Sequence, residues 1–198
     1  MKNLFLALTI GLAAMGCRDK DEYNPQLPPI TQTGANTFGA VINGKVMVPR
    51  SSTSRNWSFL GSGHSCTYYG KGIYQDKYEV INASDCKETR RGRIYIYMEN
   101  YNNNSTPIGT YAFEDSNGSY DDDIIKPKGI MMNCYLNNVR YLSIANTGSI
   151  TITRNDDEVI SGTFSCKLRN KDNPNDIIEI KDGRFDFNKA TIYNTYFP

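Results

Sequence analysis

The sequence has one histidine and one tryptophan in 198 residues, and its cysteines include no C-x-x-C pair. With His64 alone, any Ser-His or Cys-His nucleophile must use that residue. Its surroundings, Gly61-Ser62-Gly63-His64-Ser65-Cys66, hold no Gly-x-Ser-x-Gly elbow, so it reads as a loop histidine without a catalytic role. The cysteine spacing argues against a zinc site, and neither a metal nor a cofactor is expected. An excess of one charge is also missing: 22 basic residues stand against 21 acidic ones. Loss of Lys2 with an N-terminal signal would leave the mature chain neutral, without the overall footprint of a nucleic-acid binder. Long segments of helical period are lacking after the first 16 residues.

What is present begins at the N-terminus. Lys2 precedes a short apolar core, Leu4 to Met15, too short to cross a bilayer, which needs about 20 apolar helical residues. The ending Leu12-Ala13-Ala14-Met15-Gly16-Cys17 resembles a bacterial lipobox. In such signals the Cys17 thiol receives a diacylglycerol, cleavage follows Gly16, and the new amine is acylated. More than one acyl chain anchors stably where one does so only marginally. The next residues, Arg18-Asp19-Lys20-Asp21-Glu22, are similar to the surface-export signal of Bacteroidetes lipoproteins. They imply an outer-membrane protein facing the cell surface. Residues 1–16 are thus a removed signal, and 17–33 a lipidated cysteine and flexible tether with Pro25, Pro28 and Pro29. Residues 34–198 form one β-rich domain.

Within that domain the 14 tyrosines and 8 phenylalanines, with many Thr, Ile, Gly and Asn, favour strands and turns. Thr37 to Pro49 predicts a hairpin about Asn43-Gly44, with Val41 opposite Val46 and Ala40 opposite Met47. Ser65 to Tyr69 and Lys77 to Asn82 predict a second. Arg93 to Tyr101 alternates cleanly, Ile94, Ile96 and Met98 on one face and Arg93, Tyr95, Tyr97, Glu99 and Tyr101 on the other. Gly109 to Phe113 reads as a short strand. Ser149 to Leu168 reads as a hairpin with Asn155-Asp156-Asp157 as its loop and Ile152 facing Ile160. Ile178 to Phe187 reads as a hairpin about Asp182-Gly183, and Ala190 to Phe197 as a closing strand. The fold class is all-β: an antiparallel β-sandwich or open barrel-like domain.

Two blocks carry a family resemblance. Thr33-Gly34-Ala35-Asn36-Thr37-Phe38-Gly39 with Val41-Ile42-Asn43-Gly44-Lys45 forms the first; Ser161-Gly162-Thr163-Phe164 and Ile180-Lys181-Asp182-Gly183-Arg184-Phe185-Asp186 form the second. In these the chain resembles the DUF6252-type family of uncharacterised Bacteroidetes lipoproteins. The resemblance implies an exported, lipid-anchored β-rich domain and implies no activity. The motif residues are glycines, aromatics and turn formers, which suit structure more than chemistry.

Among candidate site residues, Tyr95, Tyr97 and Tyr101 beside Glu99, with Trp57 from the preceding loop, could stack on sugar rings. The plainer reading is that this face packs on a second sheet, with the tyrosine hydroxyls reaching the rim. Asp121-Asp122-Asp123 with Glu114 and Asp115 offers oxygen ligands but fails the EF-hand spacing, and solvated loop charge is the default. Arg90, Arg91 and Arg93 form a small basic knot that reads as a solvated strand entry. Cys66, Cys86, Cys134 and Cys166 allow two disulfides in three connectivities. The functional expectation is a non-enzymatic binding or interaction lipoprotein with no nucleic-acid partner. The alternative is a glycan-binding accessory module of a surface carbohydrate-uptake system.

Overall fold

The computed structural model describes residues 23–51, 66–69, 78–87, 92–99, 106–118 and 129–198. Their strands form an antiparallel sheet that curls into a half-barrel. In chain order these are β1 (Thr37–Ile42), β2 (Lys45–Met47), β3 (Cys66–Tyr69), β4 (Tyr78–Ser84), β5 (Arg93–Glu99) and β6 (Gly109–Ala112). There follow β7 (Ile130–Leu136), β8 (Val139–Ser143), β9 (Ser149–Asn155), β10 (Val159–Asn170) and β11 (Ile177–Asn188). The hydrogen-bonded order is β2-β1-β11-β10-β8-β7-β5-β4-β3, with β9 and then β6 branching from β10. Arg50, beyond β2, bridges Asp85 at the end of β4 and draws the two flanks of the curl together. The core lies inside, built from side chains such as Phe38, Ile81, Ile94, Ile96, Met132 and Phe187.

The Asn43-Gly44 hairpin forms as the residues predict: both carry positive φ, and Val41 pairs Val46 while Ala40 pairs Met47. β3 and β4 pair antiparallel, and the core face of β5 is fully buried. A further hairpin, β7–β8, turns at Asn137-Asn138, also both at positive φ. The right-handed twist of paired strands favours such turns, and asparagine tolerates them.

Elsewhere the structure departs from the sequence reading. Asp182-Gly183 makes no hairpin; β11 runs through it as one strand with a bulge. Asp182 takes φ 50, and both neighbours shift register there. The extra residue puts Ile178, Ile180, Phe185 and Phe187 on one buried face, as the hairpin would have done. The bulge wins because β1 and β10 flank both halves of β11 and satisfy its backbone groups on each edge. In the β9–β10 hairpin Ile152 pairs Gly162 rather than Ile160, since a second bulge lies near Thr153. Ala190 to Phe197 is no strand; it holds a short 3-10 turn, Ile192–Asn194, which buries Ile192.

The segment read as a tether is also fixed from Tyr23 onward. Leu27 and Pro28 lie against Gly39 on the outer side of β1. Arg184 Nη1 donates to the Pro28 carbonyl at 3.3 Å, and Arg154 Nη1 to that of Gln32 at 2.7 Å. This strap adds a covering layer to the sheet ahead of β1.

β10 serves two partners on one edge: Ile160 to Ser165 pair β9, and Leu168 to Asn170 pair β8. The chain entering β9 must pass close at this branch. A Cβ on Gly148 would overlap the Ser165 carbonyl, which is backbone and cannot swing aside. Gly148→Ala is therefore expected to cost about 2–3 kcal/mol in chemical denaturation, at the upper end of overpacking. An unchanged midpoint would show that the branch can open without loss.

Candidate functional site

On β5 the strand period places Ile94, Ile96 and Met98 in the core and Arg93, Tyr95 and Tyr97 on the outer face. Sheet register extends this face sideways: Tyr95 lies between Asn82 and Asn133, and Arg93 between Ser84 and Tyr135. The Tyr95 and Tyr97 rings stack at 6.0 Å, and Tyr135 meets Tyr95 edge-on at 6.1 Å. Arg93 donates to the Tyr95 hydroxyl at 3.0 Å and to Ser84 Oγ at 2.8 Å, its guanidinium over the Tyr95 ring. Arg140 stands over Tyr135 in the same manner. The rings thus turn their faces toward one another and toward arginines, a cross-strand ladder that stiffens the sheet.

Further along, the outer face is covered. Ser116 Oγ donates to Asn133 Oδ1 at 3.0 Å, and Arg140 donates to the Gly118 carbonyl. The Glu114–Gly118 segment crosses β7 and β8 there, and Met131, Asn133 and Leu142 are buried although they point away from the core. Alternation alone could not reveal this cover, because it comes from a segment remote in sequence.

Glu99 ends β5, and its side chain lies outside the described residues, as do all of Trp57 and Tyr101. His64, Arg90, Arg91 and Asp121 to Asp123 are likewise outside, and so is Cys17. Asp115 accepts from the Ala145 N–H at 3.1 Å and pairs Arg169 at 3.2 Å. Among the described residues no group of three His, Cys, Asp or Glu converges to hold a metal. Cys134 and Cys166 are buried, unbridged thiols, so they do not take part in the two-disulfide framework that the count of four allows. Burial raises Cys134 to about 12. Burial also raises Cys166, to about 11, against a smaller opposing hydrogen bond with Thr147. Both stay protonated and inert near neutrality. Cys66 begins β3, its side chain outside the described set, and Cys86 follows β4.

Among the described residues, three buried carboxylates escaped the sequence reading. Asp85 takes a two-pronged ion pair from Arg50, Nε to Oδ1 at 2.9 Å and Nη2 to Oδ2 at 2.6 Å. The Arg50 guanidinium also lies 3.8 Å over the Tyr23 ring. Glu79 accepts from the Thr106 N–H at 2.7 Å and more loosely from the Asn155 amide, which in turn accepts from Lys189. Burial lowers the Lys189 pKa, while Glu79, Asp156 and Asp157 oppose it.

Asp186 is the third, and five donors within 3.1 Å converge on it. Its carboxylate accepts from Thr31 Oγ1 (2.6 Å), Ser161 Oγ (2.7 Å) and the N–H groups of Gly34 (2.8 Å), Thr33 (3.0 Å) and Ala35 (3.1 Å). Successive N–H groups curve around it as an anion-binding nest, helped by Gly34 at φ 75. Burial pushes this carboxyl up, but the donors outweigh burial and hold it at about 2, below the usual 3.8. Comparison with protein-family models, curated proteins and solved structures gave no match for this chain. What the geometry defines is a class: an all-β half-barrel carrying a docked N-terminal strap.

Two measurements follow from this geometry. The folded Asp186 binds fewer protons than the unfolded chain between their two pKa values. Its contribution is present above about pH 4 and is lost as pH falls toward 2. After allowance for solvent screening it is on the order of 1–2 kcal/mol. Asp186→Asn should lower stability at pH 7 and flatten the acid limb of the stability–pH curve; a mutant with an unchanged limb would locate the acid sensitivity elsewhere. Tyr95→Ala should cost roughly 1–2 kcal/mol by removing both ring contacts and the hydroxyl partner of Arg93, whereas Tyr95→Phe should cost about 1 kcal/mol or less. Equal midpoints for wild type and Tyr95→Ala would mean that the ladder contributes nothing to the fold.

Proposed function

We propose that this chain is a lipid-anchored protein of the outer membrane, facing the cell surface. On this reading it acts by binding or interaction rather than catalysis, and it is of the DUF6252 type. One observation supports the family reading most: the blocks that carry the resemblance meet in space. Thr33, Gly34, Ala35, Ser161 and Asp186 share one hydrogen-bonded knot. Phe38 packs on Phe164 at 5.7 Å, and Phe164 on Phe185 at 6.4 Å. Motif residues joined in this way serve to fasten a strap to a sheet. The buried acids Asp186, Asp85 and Glu79 are likewise occupied in joining elements, which favours an interaction module over a hydrolase built on them. The anchor itself rests on Leu12 to Cys17, and display on Lys20-Asp21-Glu22.

The test is metabolic labelling with a clickable palmitate analogue in a bacterium that has an outer membrane. Wild type should carry the label, float with outer-membrane vesicles, and be shaved from intact cells by added protease. Cys17→Ser should lose the label and leave the membrane fraction. A labelled wild type that protease cannot reach while cells are intact would keep the anchor and reject the surface orientation.

A further inference from the structure

An amine, a carboxamide and a carboxylate meet on the inner face of the sheet. Alternation along β4 puts Glu79 on the side of Ile81 and Ala83, and it is only 1% exposed. The bulge near Thr153 turns Asn155 to the inner face, where it pairs Ile160, itself fully buried. Ile160 pairs Phe187 on its other edge. Lys189 follows Phe187 by two residues, and its backbone N–H donates to the Glu158 carbonyl. Thus β9 and β11 deliver an amide and an amine to the two sides of β10, and β4 brings a carboxylate from the far flank of the curl.

Their contacts are close. Lys189 Nζ lies 2.8 Å from Asn155 Oδ1 and 2.5 Å from the Asp156 carbonyl oxygen. The Asn155 amide nitrogen donates to the Thr106 carbonyl at 2.9 Å and sits 3.4 Å from each Glu79 oxygen. An amine is therefore held against a carboxamide whose other side faces a buried carboxylate, and such placement replaces a bimolecular encounter. Burial lowers the Lys189 pKa against the opposing charges of Glu79, Asp156 and Asp157. That raises the share of neutral amine, the form with a free electron pair.

We propose that Lys189 and Asn155 join in an intramolecular isopeptide bond, with Glu79 as the proton shuttle. Glu79 takes a proton from Nζ, and the freed electron pair attacks Asn155 Cγ, pushing the C=O pair onto Oδ1. The Glu79 proton passes to Nδ2, and the carboxylate takes a second proton from Nζ. The carbonyl reforms, the Cγ–Nδ2 bond breaks with its electron pair on nitrogen, and ammonia leaves. It carries the second proton away as ammonium, so Glu79 ends as the carboxylate it began as. No oxidant or co-reactant is required. The product removes the Lys189 charge from a half-buried position and ties β9 to β11 across β10, over a separation of 34 residues. The bond is a single self-modification and does not depend on the lipid anchor.

Peptide mapping of the full chain tests this. The folded protein is stored, denatured, digested with trypsin and read by mass spectrometry. The bond should block cleavage after Lys189 and join segment 155–167 to segment 185–198, at about 17 Da below their summed mass, the loss of one ammonia. Finding the loss in that joined pair separates it from a succinimide at Asn43-Gly44, which would lose the same mass. Glu79→Gln and Lys189→Arg, each checked for native strand content by circular dichroism, should yield no joined pair. Glu79→Asp, which keeps a carboxyl group, should still form it, more slowly. Wild-type peptides at full mass, with complete cleavage after Lys189, overturn the inference whether or not the variants fold. A joined pair that forms equally fast in folded Glu79→Gln or Glu79→Asp overturns the shuttle.

Discussion

Asp186 is a carboxylate taken out of water with no cation beside it among the described residues, and that constraint shapes the molecule. Such a charge is tolerated only when its oxygens are filled with donors. Here those donors come from two places: the strap at Thr31 to Ala35, including the turn of backbone at Gly34, and β10 through Ser161. Satisfying one anion therefore joins the N-terminal segment to two central strands. It also sets where β1 begins, because the chain leaves the nest and pairs Thr37 with Asp186 itself.

The rest of the half-barrel depends on this junction through β11. That strand stands between β1 and β10, and its bulge at Asp182 returns both halves to the same buried face. With the strap in place on one side and the phenylalanine cluster on the other, the β11 backbone has structure above, below and along both edges. The Arg50–Asp85 pair performs a parallel task at the other end, linking β2 to β4 and giving Tyr23 a flat partner. The two polar junctions thus hold the two ends of one strap. The segment from Tyr23 to Ala35, which the sequence reads as the end of a tether, is instead part of the domain.

Tyr95 and Tyr97 show how a legible pattern can leave a role open. Their alternation with Ile94, Ile96 and Met98 reads directly from the sequence, and so does their placement on the outer face. What the rings do there depends on Arg93 of the same strand and on Tyr135, which meets Tyr95 only through sheet register and carries Arg140 over its own ring. Met131 and Leu142 teach the same lesson from the other side. They lie on an outer face yet are buried by a segment ahead of β7.

The sequence by itself determined the all-β class, the Asn43-Gly44 hairpin with its register, the pairing of β3 with β4 and the two faces of β5. These follow from local physics: alternation of side chains along a strand, and turn residues that accept positive φ. Tertiary structure alone decided that Asp182-Gly183 is a bulge and not a turn, that Asp186 is a buried anchor and not a surface acid, and that the strap is docked. In each case the local signal was compatible with two outcomes. The choice fell to backbone and carboxylate groups that needed hydrogen-bond partners, and those partners lie up to 156 residues away in the chain.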